Sequence, residues 1–218
     1  MPKLKMPKSA PSLDMTPMVD LGFLLVTFFI LTAKFRPNEP VIVDVPAATS
    51  ELLLPEKVMQ ITVDEKGRVF FDLAGKDIRR EMLNRMVQRH PQLKLTEDEA
   101  RKFALLGMCG MPLNNLSQYL SADEKTRAAL DAQTPGIPTD SINGELGDWI
   151  QSGYEAFMAD AEKHGLEPKD IKGDKALRYA IKADGTTEYE KVEQVIDVFR
   201  DKNIFQFNMV TTLESGSK

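Results

Sequence analysis

Cysteine is all but missing from this chain of 218 residues. Cys109 stands alone, so no intrachain disulfide forms and thiolate clusters of the kind that hold zinc are excluded. A small buried thiol suits it; a covalent dimer through it is the other reading. Histidine is scarce too. His90 and His164 are far apart, and each falls at the end of a helical pattern, where the helix dipole alone favours an imidazole. Neither suggests a metal ligand. There is no glycine-rich phosphate loop and no nucleophile with a histidine close by, so the residues offer no seat for a cofactor or for enzymatic chemistry. An excess of positive charge is lacking as well. The 28 basic side chains are outnumbered by 33 acidic ones, for a net charge of −5. Lys3, Lys5 and Lys8 are clustered at the start, which leaves the remainder more acidic still and a poor match for nucleic acid.

Long apolar runs are also rare, and there is only one. It covers 15–33, reads Met-Thr-Pro-Met-Val-Asp-Leu-Gly-Phe-Leu-Leu-Val-Thr-Phe-Phe-Ile-Leu-Thr-Ala, and is interrupted by one carboxylate, Asp20. At about 1.5 Å per residue it spans roughly 28 Å, near the thickness of bilayer hydrocarbon. The spacing predicts a single transmembrane helix over 15–34, with Pro17 in its first turn, where a missing N–H does no harm. An acid at that depth costs about 2.5–3.5 kcal/mol and faces a protein partner or a wet path when it is retained. Asp20 therefore reads as an ion-carrying group, the bland alternative being a residue at a frayed, interfacial helix start. Thr27 lies seven residues on, on the same face. It either lines that path or bonds back to its own helix. The three early lysines put the N-terminus inside and the bulk of the chain outside. A cleaved signal peptide is disfavoured, because Lys34 follows Leu31, Thr32 and Ala33 and Asp20 interrupts the apolar stretch.

Beyond the run, Val41, Val43 and Val45 alternate with other residues up to Pro46, which predicts a short extended strand. Two strands, 58–63 and 68–72, flank a turn at Asp64-Glu65-Lys66-Gly67. Ile78, Met82, Leu83, Met86 and Val87 repeat at helical spacing. Leu177, Tyr179 and Ile181 give a third strand, Val192, Val195, Ile196 and Phe199 a second helix, and 204–211 a last strand with Phe205, Phe207 and Met209 on one side. The expected fold class is α+β, in the order β-β-α-β-α-β. Between its halves, 92–173 predicts a helical insertion that carries Trp149, Tyr154 and Phe157 at helical spacing. Pairs Thr96 with Glu99, Ser121 with Glu124 and Thr187 with Glu190 predict capping boxes. The expected division is 1–14 as a cytoplasmic tail, 15–34 as the transmembrane helix and 35–57 as strand and linker. The outer α+β domain comprises 58–91 and 174–213, with 92–173 inserted.

The string Asp14-Met15-Thr16-Pro17-Met18-Val19-Asp20, entering an apolar helix, resembles the ExbD/TolR family of biopolymer-transport proteins. The stretch from Val41 to Ala47 and the closing segment from Ile181 through Tyr189 are similar to the family as well. Taken together they cover roughly 10–90 and 175–213. The resemblance implies a proton-motive-force-driven stator subunit of the bacterial inner membrane, with a periplasmic C-terminal domain. In it Asp20 corresponds to the family's proton-carrying aspartate, and Thr16, Pro17 and Thr27 would serve the ion path or helix packing. It also implies a homodimer inside a pentameric partner similar to ExbB or TolQ, and a TonB-like periplasmic protein that Val41, Val43 and Val45 would engage by strand addition. Two readings stay open beside it: a TolR-like role in envelope integrity, and a membrane-anchored binding module with no ion-carrying role. Proton and sodium are not distinguished by the motif. Asp14, where the family often has asparagine, and the insertion at 92–173 are departures from the family pattern.

Overall fold

The computed structural model describes residues 15–32, 40, 41, 43, 47, 48, 57–139, 144–210, 212 and 213, and they fall into two units divided after Arg36.

The first unit is one helix, α1 (Thr16–Thr32, 17 residues). The Val19 N–H donates to the Met15 carbonyl at 3.0 Å, closing the first turn around Pro17. At about 1.5 Å per residue the helix measures roughly 25 Å. Ala33 and Lys34 of the 15–34 span expected from the sequence lie outside the described residues, and no helix among the described residues is long and apolar enough to cross a membrane.

The second unit is a mixed α+β domain. Its elements in chain order are β1 (Ala47–Ala48), β2 (Val58–Val63), β3 (Val69–Leu73), α2 (Lys76–Arg89), α3 (Glu97–Leu105), β4 (Met108–Cys109), α4 (Leu113–Ser121), α5 (Glu124–Gln133) and α6 (Leu146–Lys163). Two short 3-10 turns lead on to β5 (Arg178–Ala183), α7 (Tyr189–Asp201), β6 (Asn208–Val210) and β7 (Thr212–Leu213). Five strands form one sheet in the order β4-β3-β2-β5-β6, and β1 pairs with β7 separately.

The β2–β3 hairpin forms where Asp64 and Gly67 direct it. Asp64 Oδ1 accepts from the Lys66 and Arg68 N–H groups (3.0 and 2.8 Å), and Gly67 takes φ +73°, a value disfavoured for side-chain-bearing residues. The register then places Met59, Ile61 and Val63 opposite Leu73, Phe71 and Val69 on a single face. All six are buried in the main core, together with Met82, Leu83 and Met86 of α2 and Val192, Val195 and Phe199 of α7. Parallel pairing of β2 with β5, and of β5 with β6, follows from the helices that connect them.

The helices between α2 and β5 share this core. Trp149 of α6 is fully buried, with its ring 5.5 Å from Phe71 of β3 and 5.9 Å from Phe103 of α3. Phe157 is also buried, whereas Tyr154 is 43% exposed. Gly136 marks where the segment returns to the sheet. Its φ is +85°, and a Cβ there would meet the Val69 main-chain nitrogen at 2.6 Å. The neighbouring Ile137 N–H donates to the Val69 carbonyl at 2.9 Å, so side-chain bulk at 136 would push this seam apart.

Several local expectations change. The Thr96 and Glu99 capping box is present in both directions, but the other two are not. Ser121 ends α4, and Asp123 caps α5 by accepting from the Thr126 N–H. Ser121 instead donates its hydroxyl to Glu99 Oε1 at 2.7 Å. Thr187 donates to the Asp64 carbonyl at 2.9 Å, tying the α7 entrance to the hairpin turn, and α7 starts without a side-chain cap. Met108 and Cys109, within the segment expected to be helical, form a strand that extends the sheet edge through Phe71 and Asp72. The last strand is shorter than 204–211: β6 begins at Asn208, and Phe205 is 72% exposed.

Candidate functional site

Asp20 lies in the second turn of α1, about 6 Å along the axis from Thr16 and about 18 Å from Thr32. At 100° per residue, Thr16, Asp20, Phe23 and Thr27 fall within about 60° of one another and form one stripe. The rest of the surface is apolar on every side: Leu21, Leu24, Leu25, Val26, Phe28, Phe29, Ile30 and Leu31 are all exposed, from 55% at Val26 to 80% at Leu31. Gly22 has nothing within 4 Å of where its Cβ would be, so the backbone is bare there. Asp20 is the only carboxylate in the helix.

Of the two readings for Thr27, the local bond is formed. Its hydroxyl donates to the Phe23 carbonyl at 2.8 Å, which satisfies the proton. Thr32 makes the same bond to Phe28. Thr16 and Pro17 occupy the first turn.

The strand residues are placed unevenly. Val43 is 7% exposed and Val41 is half-buried, neither in a ladder, and Val45 lies outside the described residues. Among the described residues the main sheet has edges at β4 and β6, and the second lies beside a cavity of about 560 Å3 lined by Tyr154, Leu177, Tyr179, Ile204 and Phe205. Met209 of β6 is 49% exposed.

Elsewhere the second unit commits its charges to structure. Glu99 Oε2 accepts from the Thr96 N–H (2.7 Å), and Oε1 accepts from the Ser117 and Ser121 hydroxyls (3.0 and 2.7 Å), joining α3 to α4. Those bonds, the Thr96 main-chain one foremost, hold the carboxyl down at about 2 against the opposing effect of burial. Glu145 reaches the open N-terminus of α4, accepting from the Leu113 N–H at 2.7 Å, and burial raises its pKa. His90 joins the end of α2 to Asp148 of α6 at 2.9 Å. His164 hydrogen-bonds through Nδ1 to the Asp160 carbonyl. Cys109 is enclosed, and burial pushes its thiol up to about 12. No cluster among the described residues is suited to a metal ion. The Glu99 junction and the Tyr119–Asp131 pair escaped sequence reasoning. Their only sequence signal was the Thr96–Glu99 box, because the other partners are brought in by the fold.

These features define a class: an apolar helix with one acid, and a separate α+β domain without a chemical centre among its described residues. Residues 6–214 match the family described as Biopolymer transport protein ExbD/TolR. The chain belongs to that family. No curated protein and no solved structure matches it.

Proposed function

We propose that this chain is the ion-coupled stator subunit of an ExbD-type transport motor, with Asp20 as the proton carrier. The observation that carries the reading is one carboxylate on a helix that is apolar on all sides. A helix of that kind is stable only when surrounded by lipid or protein, and an ionisable group kept there is a functional candidate. In this reading α1 is a single-pass anchor in a bacterial inner membrane, the N-terminus is cytoplasmic and the second unit is periplasmic. The division of the chain set out from the sequence belongs to the same proposal.

The position of Asp20 shapes the mechanism. It sits about 6 Å from the N-terminal end and about 18 Å from the other, so the inward exit is short and the entry path long. Two chains place their helices inside a pentamer resembling ExbB or TolQ, and that ring builds the entry path. The stripe of Thr16, Asp20, Phe23 and Thr27 faces it. Neutralised, Asp20 slips past apolar partner surface; ionised, it must stop at a polar one. Each proton falling through about 100 mV supplies roughly 2.3 kcal/mol. The second unit dimerises and passes the motion to a TonB-like protein. In this reading that protein docks along 41–46 by strand addition.

The test replaces Asp20 with asparagine, which keeps shape and removes the charge cycle. Asp20→Asn should co-purify with its membrane partners in normal amount and lose energy-dependent transport. Thr27→Val, which removes only a local hydroxyl bond, should retain it. Transport surviving in Asp20→Asn overturns the carrier role and favours an anchored binding module. Mass spectrometry of the co-purified partners separates an ExbD-type role from a TolR-type one.

A further inference from the structure

The cavity of about 560 Å3 beside β6 owes its shape to the way α7 ends. Lys202 closes that helix and Asn203 takes φ +58°. The Asn203 and Ile204 N–H groups then return to the Arg200 and Phe199 carbonyls, both at 2.9 Å. This left-handed turn stops the helix and redirects the chain. Ile204 packs on the core, whereas Phe205 stays exposed and lines the cavity. Tyr154 of α6 and Tyr179 of β5 add two more rings to the lining, and Ile150 and Leu177 an aliphatic part.

The polar groups of the lining favour one sign of ligand. Among its described residues Lys202 is the one charged group and none is a carboxylate, in a chain where acids outnumber bases 33 to 28. Lys202 makes no ion pair with any described residue. It is half-buried, and its stem lies over Gly147 in the first turn of α6, where a Cβ would come 3.0 Å from Cε and 3.5 Å from Nζ. An ammonium beside a helix N-terminus meets the unfavourable end of the dipole. Asp148, the acid of that turn, is engaged by His90 at 2.9 Å. Asn203 and Gln206 bring amides to the lining. Tyr179 stays a neutral hydroxyl near pH 7, because burial, and after it Tyr154, push it up to about 12.

We propose that this cavity binds a small aromatic carboxylate. The carboxylate pairs with Lys202 and accepts from the Asn203 or Gln206 amide, and the ring lies against Tyr154, Tyr179 and Phe205. The volume falls in the range of small-ligand sites, and apolar walls with a few polar groups are the usual composition of one. A neutral ligand would leave the ammonium unpaired, and an anion without a ring would forgo the aromatic contacts. Nothing in this proposal depends on Asp20.

The test is calorimetric titration of the whole chain in a nonionic detergent with 3-phenylpropionate, 3-phenylpropanamide and hexanoate as probes. The aromatic acid should bind, its amide at least about tenfold more weakly, and hexanoate at least about threefold more weakly. Lys202→Met, which keeps the stem over Gly147, should bring acid and amide to equal affinity. Phe205→Ala, a change at an exposed ring, should weaken both by at least about threefold. If Lys202→Met fails to fold, the wild type and Phe205→Ala decide the matter. Absence of heat and of any melting shift with 3-phenylpropionate at about 20 mM overturns the proposal. So does acid binding that Lys202→Met leaves unchanged, or hexanoate binding as tightly as the aromatic acid. Amide binding as tight as that of the acid overturns it too, and assigns the cavity to an apolar side chain of a protein partner.

Discussion

Glu99 gives the sharpest test of how the helices after α2 are fastened. Four donors converge on it: the Thr96 N–H and hydroxyl on Oε2, and the Ser117 and Ser121 hydroxyls on Oε1. Glu99→Gln keeps the shape and replaces one acceptor oxygen with an NH2 donor. Either the serine pair or the Thr96 pair must then face a donor. Hydrogen bonds to a charged group contribute about 1.5–3 kcal/mol each when tested singly, and those sharing one carboxylate do not add. The depressed pKa provides a second measure. A fall from 4.5 to about 2 corresponds to at most about 3–4 kcal/mol favouring the ionised, folded form. A destabilisation of about 1–3 kcal/mol at neutral pH is therefore expected.

The pH dependence carries its own sign. The folded-state pKa lies below the unfolded one, so the stabilisation is fully present above about pH 4.5. It is lost as the pH falls toward about 2, when the folded carboxyl also takes up its proton. Urea unfolding followed by Trp149 fluorescence suits the measurement, because that residue is the only tryptophan and lies in the core. The gap between wild type and Glu99→Gln should be constant from about pH 7 to 5 and should shrink by more than half by about pH 3. A gap under about 0.5 kcal/mol, or one that does not change with pH, would refute the reasoning.

Gly136→Ala should cost more than about 2 kcal/mol, because it combines a left-handed backbone with a Cβ contact of 2.6 Å on main chain, whereas Gly173→Ala, at φ +61° in open space, should cost about 1 kcal/mol; chemical denaturation compares the two. Cys109 should react with a maleimide at least about 100-fold more slowly in the native chain than in urea at pH 8, since burial disfavours its thiolate, and rapid native labelling would show that β4 opens. Removing the hydroxyl in Ser121→Ala should destabilise by about 1 kcal/mol without altering α5, which Asp123 caps, and circular dichroism with urea titration would detect a lost helix turn.

Legibility in the sequence tracked how local the cause was. The hairpin at Asp64 was readable because its turn bonds and its alternating core residues are all within a few positions. The Thr96–Glu99 box was readable for the same reason. Ser121–Glu124 and Thr187–Glu190 carry the same spacing and misled, because each hydroxyl found a partner from a distant segment. β4 was invisible: two residues show no period, and only the edge of β3 makes them a strand. The apolar segment 204–207 looked like strand because Ile204 and Phe207 do pack on the core, yet the ladder starts after them. At the candidate site, Asp20 was visible because a charge in an apolar run is a sequence fact. The bond from Thr27 to the Phe23 carbonyl was one of two readings, and it is formed. The Tyr119–Asp131 pair needed α4 and α5 to be brought together.

One small pairing has a mechanical meaning. Ala47 and Ala48 run alongside Thr212 and Leu213 in the same direction. Stretching the chain by its flanks, before the first pair and after the second, loads these bonds in shear. They must then yield together, whereas an antiparallel pairing held the same way would peel open one bond at a time. Short as it is, the clasp would behave like a latch that bears a pull along its length and releases under a sideways tug.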